Sequence, residues 1–600
     1  MAESRCSSSD AGCGQPLPES RGGPARRATR RRVPSRLDWA LWLSLLVLVC
    51  VRTVYHLAFV SKVPFALATI SDGRAFEAGA RDIVRYFPLG SEPLQLSGLY
   101  SYLLSIPLLL GPWLALALIF QLALAMIALF AFHRIAMRAF GRRTGALATI
   151  TLLAYPALAF FENKFAAVEL NVLCSVALLW SFVRMQRMGS ERAALPVGVT
   201  AGVAALAAPT AWLALPFTAL ATARANPQAR GPALGWLALG FVLALSPMAL
   251  RNQLVVGTPE ILPRHAISLP LYIGNNESAE GSYNDGDVID RAAPGGRAAV
   301  ERHLNMGAMP TAARDAAIDR TLTHRTVSFV HAHPWDTLQL VGAKAFLMLG
   351  NAEPTEHFDW AGERALLGDG LDRGIPFGLL AALGVLGIAG LFRGAFSFGP
   401  RDQSALPGPP LAWFLLGQVA APLAVMLLGF ASSGQRVPTA IPLAFAAGPA
   451  SMALLDWIRS VTAGAPRPNT GMRGAEVAVA AVIFVQAFVP RDVNTAPSAW
   501  HYFHLGDIDE RIGSMPNATL EYDQAIQRDP REPVFLLRQA RLLKLLLAIE
   551  PADDVLRHLE LLEDVPPYIR REAAVERAQL DGLKRYAATH EKAEEDSHSD

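Results

Sequence analysis

The amino-acid sequence predicts an all-α polytopic membrane helix bundle of about 11 transmembrane helices, followed by a small C-terminal α-helical repeat domain. Three observations predict this class. The 600-residue chain is 52% hydrophobic, and its mean hydropathy of +0.28 is high for a soluble globular protein. Uncharged stretches of about 20 residues recur between positions 39 and 489. Beyond residue 499 they give way to charged residues at helical spacing.

Charge and cysteine content exclude several classes of function. The 54 basic and 52 acidic residues give a net charge of +2, which does not favour a nucleic-acid partner. The four cysteines are Cys6, Cys13, Cys50 and Cys174. Two lie in the N-terminal tail and two in apolar stretches, without the spacing of a zinc site or a disulfide framework.

The predicted spans occupy ten apolar stretches: 39–60, 113–132, 144–161, 165–183, 195–223, 232–250, 375–392, 410–430, 437–457 and 475–489. Pro209 divides the stretch 195–223, which is either a hairpin of two spans or one long kinked helix. Basic residues favour the cytoplasmic side of short loops. The hairpin interpretation places the Lys- and Arg-rich connections on one side, and it gives eleven spans.

The predicted domain organisation follows from the positions of the spans, and their odd number places the two ends of the chain on opposite sides of the membrane. Residues 1–37 form a disordered basic cytoplasmic tail, and residues 38–490 form the transmembrane domain with non-cytoplasmic loops 61–98 and 251–374. The C-terminal domain, 499–585, is then extracytoplasmic, and 586–600 is a disordered tail. The chain is thus expected to be an integral multi-pass membrane protein with a cytoplasmic N terminus.

The C-terminal domain contains one internal signature. Large, small, aromatic and helix-ending residues recur as in a 34-residue tetratricopeptide repeat, at Tyr502, Leu505, Gly506, Gly513, Ala518, Tyr522, Ala525 and Pro530. A second, degraded repeat follows from residue 533. Such repeats stack on neighbours, so a structural or protein-docking role is expected here.

Polar and ionisable residues are concentrated in the predicted outer loops, and the spans contain few of them. This pattern favours an active site at the outer membrane surface over a path through the membrane. Asp72, just after the first span, has two interpretations that the residues alone leave open. It is either a helix N-cap or a carboxylate that accepts a proton or holds a divalent cation.

Several segments, taken in chain order, resemble the GT-C superfamily of polytopic glycosyltransferases, specifically bacterial proteins related to protein mannosyltransferases and lipid A aminoarabinose transferases. These segments are SDGRAFEAGARDI, QLSGLYSYLL, FGRRTGALATITLLAYPALAFFENKF, LALSPMALRNQLVVG, LPLYIGNNESAEGSY and SSGQRVPTAIPLAFAAG. The resemblance implies a bacterial inner-membrane enzyme of the cell envelope. It would transfer a hexosyl or pentosyl group, with inversion, from a polyprenyl-phosphate donor to a glycan, lipid or protein acceptor.

The resemblance also implies site residues. Its two acidic positions correspond to Asp72 and Glu162, as catalytic residues or as ligands of a divalent cation such as Mg²⁺ or Mn²⁺. The predicted substrate-binding residues are Lys164, Arg251, Asn252, Tyr272, Asn275 and Arg436. Lys164, Arg251 and Arg436 would hold the departing phosphate. Each of them is also suited to act as an anchor at the membrane interface. Tyr272 and Asn275 offer an aromatic ring and an amide to a sugar.

Two competing functions are consistent with the same sequence. One is a related envelope-polysaccharide ligase or lipid-linked-sugar flippase, although a flippase requires a polar passage that the spans barely provide. The other is a catalytically inactive scaffold that recruits protein partners through its helical repeats. Replacement of Asp72 by Asn separates a transferase from a scaffold, because only the transferase loses an activity.

Overall fold

The computed structural model describes residues 35–94, 96–263, 265–283, 311–354, 356, 358–370, 373–394, 408–463, 474–489, 496–563 and 565–598. Within these ranges the regular structure is helical, and an isolated bridge joins Ser282 to Ala431. The all-α prediction is confirmed for the described residues. The predicted N-terminal tail lies outside them as far as residue 34.

The helices up to residue 274 are α1 (Arg36–Lys62), α2 (Asp72–Arg85), α3 (Gly98–Leu108), α4 (Leu114–Phe140), α5 (Arg142–Leu153), α6 (Pro156–Glu162), α7 (Val168–Met188), α8 (Ala194–Ala207), α9 (Ala211–Ala225), α10 (Arg230–Val255) and α11 (Ser268–Gly274). Those that follow, up to residue 487, are α12 (Thr311–Ala332), α13 (Pro334–Met348), α14 (Trp360–Leu367), α15 (Phe377–Phe392), α16 (Gly408–Leu428), α17 (Ser433–Arg436), α18 (Ala440–Thr462) and α19 (Gly474–Ala487).

Six described helices are long and apolar enough to cross a membrane, or seven if the bent pair α5 and α6 is one span. The long ones are α1, α4, α7, α10, α16 and the continuous stretch Ser433–Thr462. The other predicted spans are present as the shorter helices α8, α9, α15 and α19. The chain is therefore an integral membrane protein, with fewer long spans than the sequence predicted.

The divided stretch 195–223 forms two helices that pack on different neighbours. α8 lies along α10, whereas α9 lies mainly along α16. The α8–α10 contact is close because Gly198 faces the backbone of Leu237, and Gly240 faces the backbone of Leu195. Small residues at such crossings let helix backbones approach, which favours association in a membrane.

The helix implied by the N-cap interpretation of Asp72 is present as α2. Its Phe76, Ala80 and Ile83 are buried, and Phe76 makes an edge contact with the ring of Tyr100. Gly73 brings the first turn against the Phe165 carbonyl, since a Cβ at Gly73 would lie 2.9 Å from that oxygen. The position of Asp72 is therefore fixed by packing against the turn that precedes α7.

Five helices form the C-terminal unit: α20 (Ala499–Arg511), α21 (Met515–Arg528), α22 (Pro533–Leu545), α23 (Ile549–Leu561) and α24 (Pro567–His598). Ala518, Tyr522 and Ala525 are fully buried between neighbouring helices, as the repeat signature requires. The tetratricopeptide assignment itself stays a prediction. The disordered tail predicted for 586–600 is wrong as far as His598, because α24 continues through this segment of good helix formers.

Candidate functional site

A cavity of about 620 Å³ lies among the helices of the membrane core. Its walls come from the first turns of α2 and α7, the break between α8 and α9, the segment before α11, and the end of α16. Aliphatic, aromatic and proline side chains dominate the lining. A cavity of this composition suits an apolar ligand that carries a small polar group.

The break between α8 and α9 opens one wall of the cavity. Ala208 adopts an extended conformation, and Pro209 follows it, so the helix does not continue into α9. Residues 207–214 all line the cavity. Irregular backbone at membrane depth is tolerated where it lines a cavity, and this break has that location.

Asp72 contributes a carboxylate to the lining. It is the first residue of α2, and Ser71 occupies the N-cap position without a side-chain capping bond. The Ser71 backbone has φ of +45°, a conformation that non-glycine residues rarely adopt and that persists where surrounding contacts enforce it. The structure thus places Asp72 inside the helix and not at the N-cap.

Glu356 provides a second carboxylate in the same lining, and the sequence analysis missed it. The available signal was the acidic stretch EHFDW, which directly precedes α14 at the end of the long predicted outer loop. Among the described lining residues, Asp72 and Glu356 are the acidic ones, and none is Lys or Arg. The ionisable character of the described lining is therefore acidic.

Three further lining residues carry buried polar atoms without a hydrogen-bond partner among the described residues. They are Asn171 Oδ1, Trp212 Nε1 and Gln435 Oε1. A buried polar group without a partner costs about 1–3 kcal/mol. Such groups are expected where a bound molecule supplies the missing partners. No motif or spacing in the sequence indicates these three residues.

Glu162 is enclosed by an ionic cluster and does not line the cavity. Its carboxylate accepts from Arg52 Nε at 2.9 Å and Nη2 at 2.5 Å, and His56 Nε2 lies 3.0 Å away. The side chain is 1% exposed. Glu162 therefore joins α6 to α1, and the neighbouring Phe161 is the residue that reaches the cavity.

Lys164 is equally enclosed. Its ammonium lies 2.5 Å from Glu363 of α14 and 3.8 Å from the centre of the Phe59 ring. Tyr55 also donates to Glu363. These contacts join α1 to α14 through the turn after α6, and they leave the Lys164 charge neutralised inside the protein.

Arg251 and Asn252 hold two loops at the end of α10. Arg251 donates to the Leu89 carbonyl at 2.9 Å and to the Glu92 carbonyl at 2.7 Å. Asn252 donates to the Glu260 carbonyl. Arg251 thus fixes the segment between α2 and α3 against α10, and Asn252 fixes the loop that follows α10. Neither residue is among the described cavity lining.

Arg436 is fully buried and forms an ion pair with Glu353. It also donates to the carbonyls of Met348 at 3.2 Å, Gly350 at 3.0 Å and Ala352 at 2.9 Å. The guanidinium lies 4.4 Å from the centre of the Phe377 ring. Arg436 therefore joins the end of α13 to the start of the Ser433–Thr462 span.

Tyr272 and Asn275 belong to α11 and its end. Tyr272 packs against a cluster that includes Ile318 and Phe430. Asn275 donates to the carbonyls of Leu271 and Leu428, and it accepts from Lys344 at 3.0 Å. Burial lowers the pKa of Lys344 to about 8. Of the eight predicted site residues, Asp72 alone is among those that line the cavity.

A search of the described residues finds no group of three or more His, Cys, Asp and Glu side chains that could hold a metal ion. Asp72 and Glu356 are the carboxylates of the described lining that could contribute to a metal site. Mg²⁺ is commonly held by one or two carboxylates, with phosphate oxygens and water completing its octahedral coordination. The predicted pair Asp72 and Glu162 is not compatible, because Glu162 is enclosed by Arg52 and His56.

Comparisons with known proteins give structural neighbours only. No protein-family model and no curated protein sequence matches the chain. The Archaeoglobus fulgidus oligosaccharyltransferase tethered with an acceptor peptide is similar over 81% of this chain, at 14% identity and a TM-score of 0.38. ArnT from Cupriavidus metallidurans bound to undecaprenyl phosphate is similar over 82% of this chain, at 13% identity and a TM-score of 0.35.

The matched regions cover 59% of the oligosaccharyltransferase and 76% of ArnT. Identities of 13–14% and TM-scores below 0.5 do not transfer either protein's substrate to this chain.

Proposed function

We propose that this chain is a membrane glycosyltransferase that takes a sugar from a polyprenyl-phosphate-linked donor and transfers it to an acceptor at the cavity. The observation that carries this proposal is the position of Asp72 and Glu356 in the lining of an otherwise largely apolar cavity within a membrane-embedded helix bundle. The sequence resemblance to GT-C enzymes gives the reaction class.

The apolar walls suit the prenyl chain of the donor. Because the chain arrives from the hydrocarbon of the bilayer, van der Waals packing against these walls, and not removal from water, would hold it. The unpartnered atoms of Asn171, Trp212 and Gln435 are suited to the polar head of the donor. In particular, the indole N–H of Trp212 can donate to a phosphate or sugar oxygen.

Asp72 is proposed as the general base. The acceptor hydroxyl oxygen attacks the anomeric carbon, its proton passes to the Asp72 carboxylate, and the bond from the anomeric carbon to the phosphate oxygen breaks. The bonding electrons leave with the lipid phosphate, and the configuration at the anomeric carbon is inverted. A positioned base of this kind typically contributes a factor of about 10²–10⁴ in rate.

Asp72 and Glu356 are also the residues that would hold a divalent cation such as Mg²⁺ or Mn²⁺ in this cavity. When bound, such an ion supplies charge neutralisation at the departing phosphate.

The predicted phosphate-binding cations have a different role in this proposal. Lys164, Arg251 and Arg436 are paired with protein groups, and they maintain the helices and loops around the cavity. The acceptor, whether a glycan, lipid or protein, is proposed to enter from the non-cytoplasmic face of a bacterial inner membrane, with the N terminus cytoplasmic.

The first test is Asp72→Asn in membranes supplied with undecaprenyl-phosphate-linked hexose and pentose donors. Release of undecaprenyl phosphate measures transfer whatever the acceptor. We expect at least about a 100-fold loss of turnover with an unchanged melting temperature.

Asp336→Asn is the matched control, because Asp336 is an exposed carboxylate in the predicted outer loop and pairs with the neighbouring His333. Its turnover should equal that of the unmodified protein. Full turnover in Asp72→Asn would exclude the proposed base and favour the scaffold interpretation.

A further inference from the structure

The C-terminal unit contacts the segment that carries Asp72. Leu505 and Ile508 of α20 pack into one buried cluster with Phe59, Val63, Phe65, Ala66 and Ile70. Phe59 belongs to the end of α1, and the other four partners belong to the turns that lead into α2. The C-terminal unit therefore covers the connection between the first span and the Asp72 helix.

A buried carboxylate joins the two regions. Asp507 of α20 is 2% exposed and forms an ion pair with Arg74, two residues after Asp72. It is also 3.3 Å from Arg511 and 3.0 Å from Arg538. Three guanidinium groups thus converge on one carboxylate, and only one of them comes from the membrane core.

Arg511 strengthens the same junction. Its guanidinium donates to the Thr69 carbonyl at 3.1 Å, three residues before Asp72. The Asp72 segment is therefore held on both sides, at Thr69 and at Arg74. Between these two anchors lies Ser71, with its unusual φ of +45°. External contacts of this type are what maintains such a backbone conformation.

The charge balance makes Asp507 essential to this junction. Burial, together with the nearby Arg511 and Arg538, lowers the pKa of Arg74 to about 10. Without the Asp507 carboxylate, Arg74 would face two like charges in a half-buried site. It would then be repelled from α20, and the first turn of α2 would be released.

The same unit also contacts the segment that follows Glu356. The backbone N–H of Ser498 donates to Asp359 Oδ2 at 2.7 Å, while Asp359 Oδ1 caps α14 through the N–H of Gly362. The His501 ring occupies the space where a side chain at position 362 would lie. One structural unit therefore contacts both cavity segments that carry a carboxylate.

We infer that Asp507 is a positioning residue for Asp72: through Arg74 it holds the first turn of α2 in place, which makes the C-terminal helices a working part of the active site. This inference rests on the proposed function. It adds to that proposal a role for the C-terminal unit that goes beyond docking.

The test compares Asp507→Asn with Asp553→Asn in the full chain. Asp553 is the matched control because it is also 2% exposed and accepts from three cations, Arg557, Arg577 and Lys584, within the C-terminal unit. Both variants remove a buried carboxylate from the unit, but only Asp507 contacts the Asp72 segment. Asp507→Glu serves as the conservative rescue.

The first readout is hydrogen exchange of residues 69–85. We expect at least about a tenfold faster exchange in Asp507→Asn, and no change in Asp553→Asn or Asp507→Glu. Arg74→Gln should reproduce the effect from the other side of the ion pair. Unchanged exchange in both Asp507→Asn and Arg74→Gln would overturn the inference.

The second readout is the release of undecaprenyl phosphate from the sugar-linked donor. Misplacement of a reacting group by about 1 Å costs about 100-fold in rate. We therefore expect kcat of Asp507→Asn to fall about 10- to 100-fold while the donor KM changes less than about twofold. A fall of equal size in Asp553→Asn would also overturn the inference, since general destabilisation would explain it.

The two proposals fail in different ways. If Asp72→Asn retains full turnover, the proposed function is wrong, whatever the exchange data show. If Asp72→Asn is inactive while Asp507→Asn retains normal kcat, the glycosyltransferase proposal stands and the positioning role of Asp507 is wrong.

Discussion

Glu353 and Glu356 lie three residues apart, yet the structure gives them different surroundings. Glu353 is buried against Arg436 and accepts from Ser433 at 2.6 Å. Glu356 lines the cavity. The same contrast separates Glu162, which is enclosed by Arg52 and His56, from Asp72. Of these four carboxylates, Glu353 and Glu162 are enclosed by cationic side chains, whereas Asp72 and Glu356 line the cavity.

The largest expected effect concerns the buried ion pair between Arg436 and Glu353. Arg436→Met should lower the free energy of unfolding by about 3–5 kcal/mol, because it leaves Glu353 buried without its cation. Thermal unfolding in detergent measures this loss. Arg459→Met is the control: Arg459 pairs with Asp456 at 3.5 Å and both side chains are 48% exposed, so the change should stay below about 1 kcal/mol. Equal changes in the two variants would show that the buried ion pair of Arg436 contributes no more to stability than the exposed pair of Arg459.

The next effect separates the two glutamates directly. Glu356→Gln should reduce turnover at least about 100-fold, because in the proposed function its carboxylate acts in the cavity that it lines. Glu353→Gln should instead lower the melting temperature, since it removes the charge opposite Arg436. Donor turnover and differential scanning calorimetry check both variants, and interchanged results would contradict the division.

Trp212→Phe tests the unpartnered cavity atoms. The ring is retained while the Nε1 donor, which has no partner among the described residues, is removed. We expect undecaprenyl-phosphate affinity to fall about tenfold, the value of one hydrogen bond to a charged oxygen. Stability should be unchanged or slightly higher. The control is Trp180→Phe, because Trp180 does not line the described cavity. Equal affinity in both variants would show that Trp212 does not contact the donor.

The smallest effect is a pH dependence at the junction with the C-terminal unit. Burial lowers the pKa of His501 below its usual 6.5, although the Asp359 carboxylate opposes this shift and Arg528 adds to it. The neutral ring is therefore favoured in the fold. Its contribution is complete above about pH 6.5 and is lost as the pH falls through the folded-state pKa.

The melting temperature of the protein should thus fall from pH 7 to pH 5. His501→Gln should flatten that dependence. A pH profile that is identical in the two proteins would assign the effect to another group.

The fold class and α2 could be predicted because they depend on local patterns: long apolar stretches, helical spacing and an acidic helix start. The ion pairs could not. Lys164 meets Glu363 and Arg436 meets Glu353 across 199 and 83 positions of the chain, and such pairing depends on how helices pack. An Arg near a predicted membrane surface looks the same in sequence whether it binds phosphate or a buried glutamate.

Glu356 was missed for a related reason. The resemblance to GT-C enzymes implied Glu162 as the second carboxylate. In the structure Arg52 and His56 lie close enough to neutralise it, and both come from a helix that the sequence treats as a simple span. The acidic stretch at 356–359 carries no periodicity, so only its position in space identifies it.

The interruption at Ala208 and Pro209 has a consequence for how a lipid enters. The helix α8 ends at Ala207, and Pro209 lacks the backbone N–H that would continue it. The cavity beside this break is therefore part of the folded chain and needs no ligand to open it. A carrier lipid arriving from the bilayer then meets a ready-made compartment, and little of its binding energy is spent on rearranging the protein.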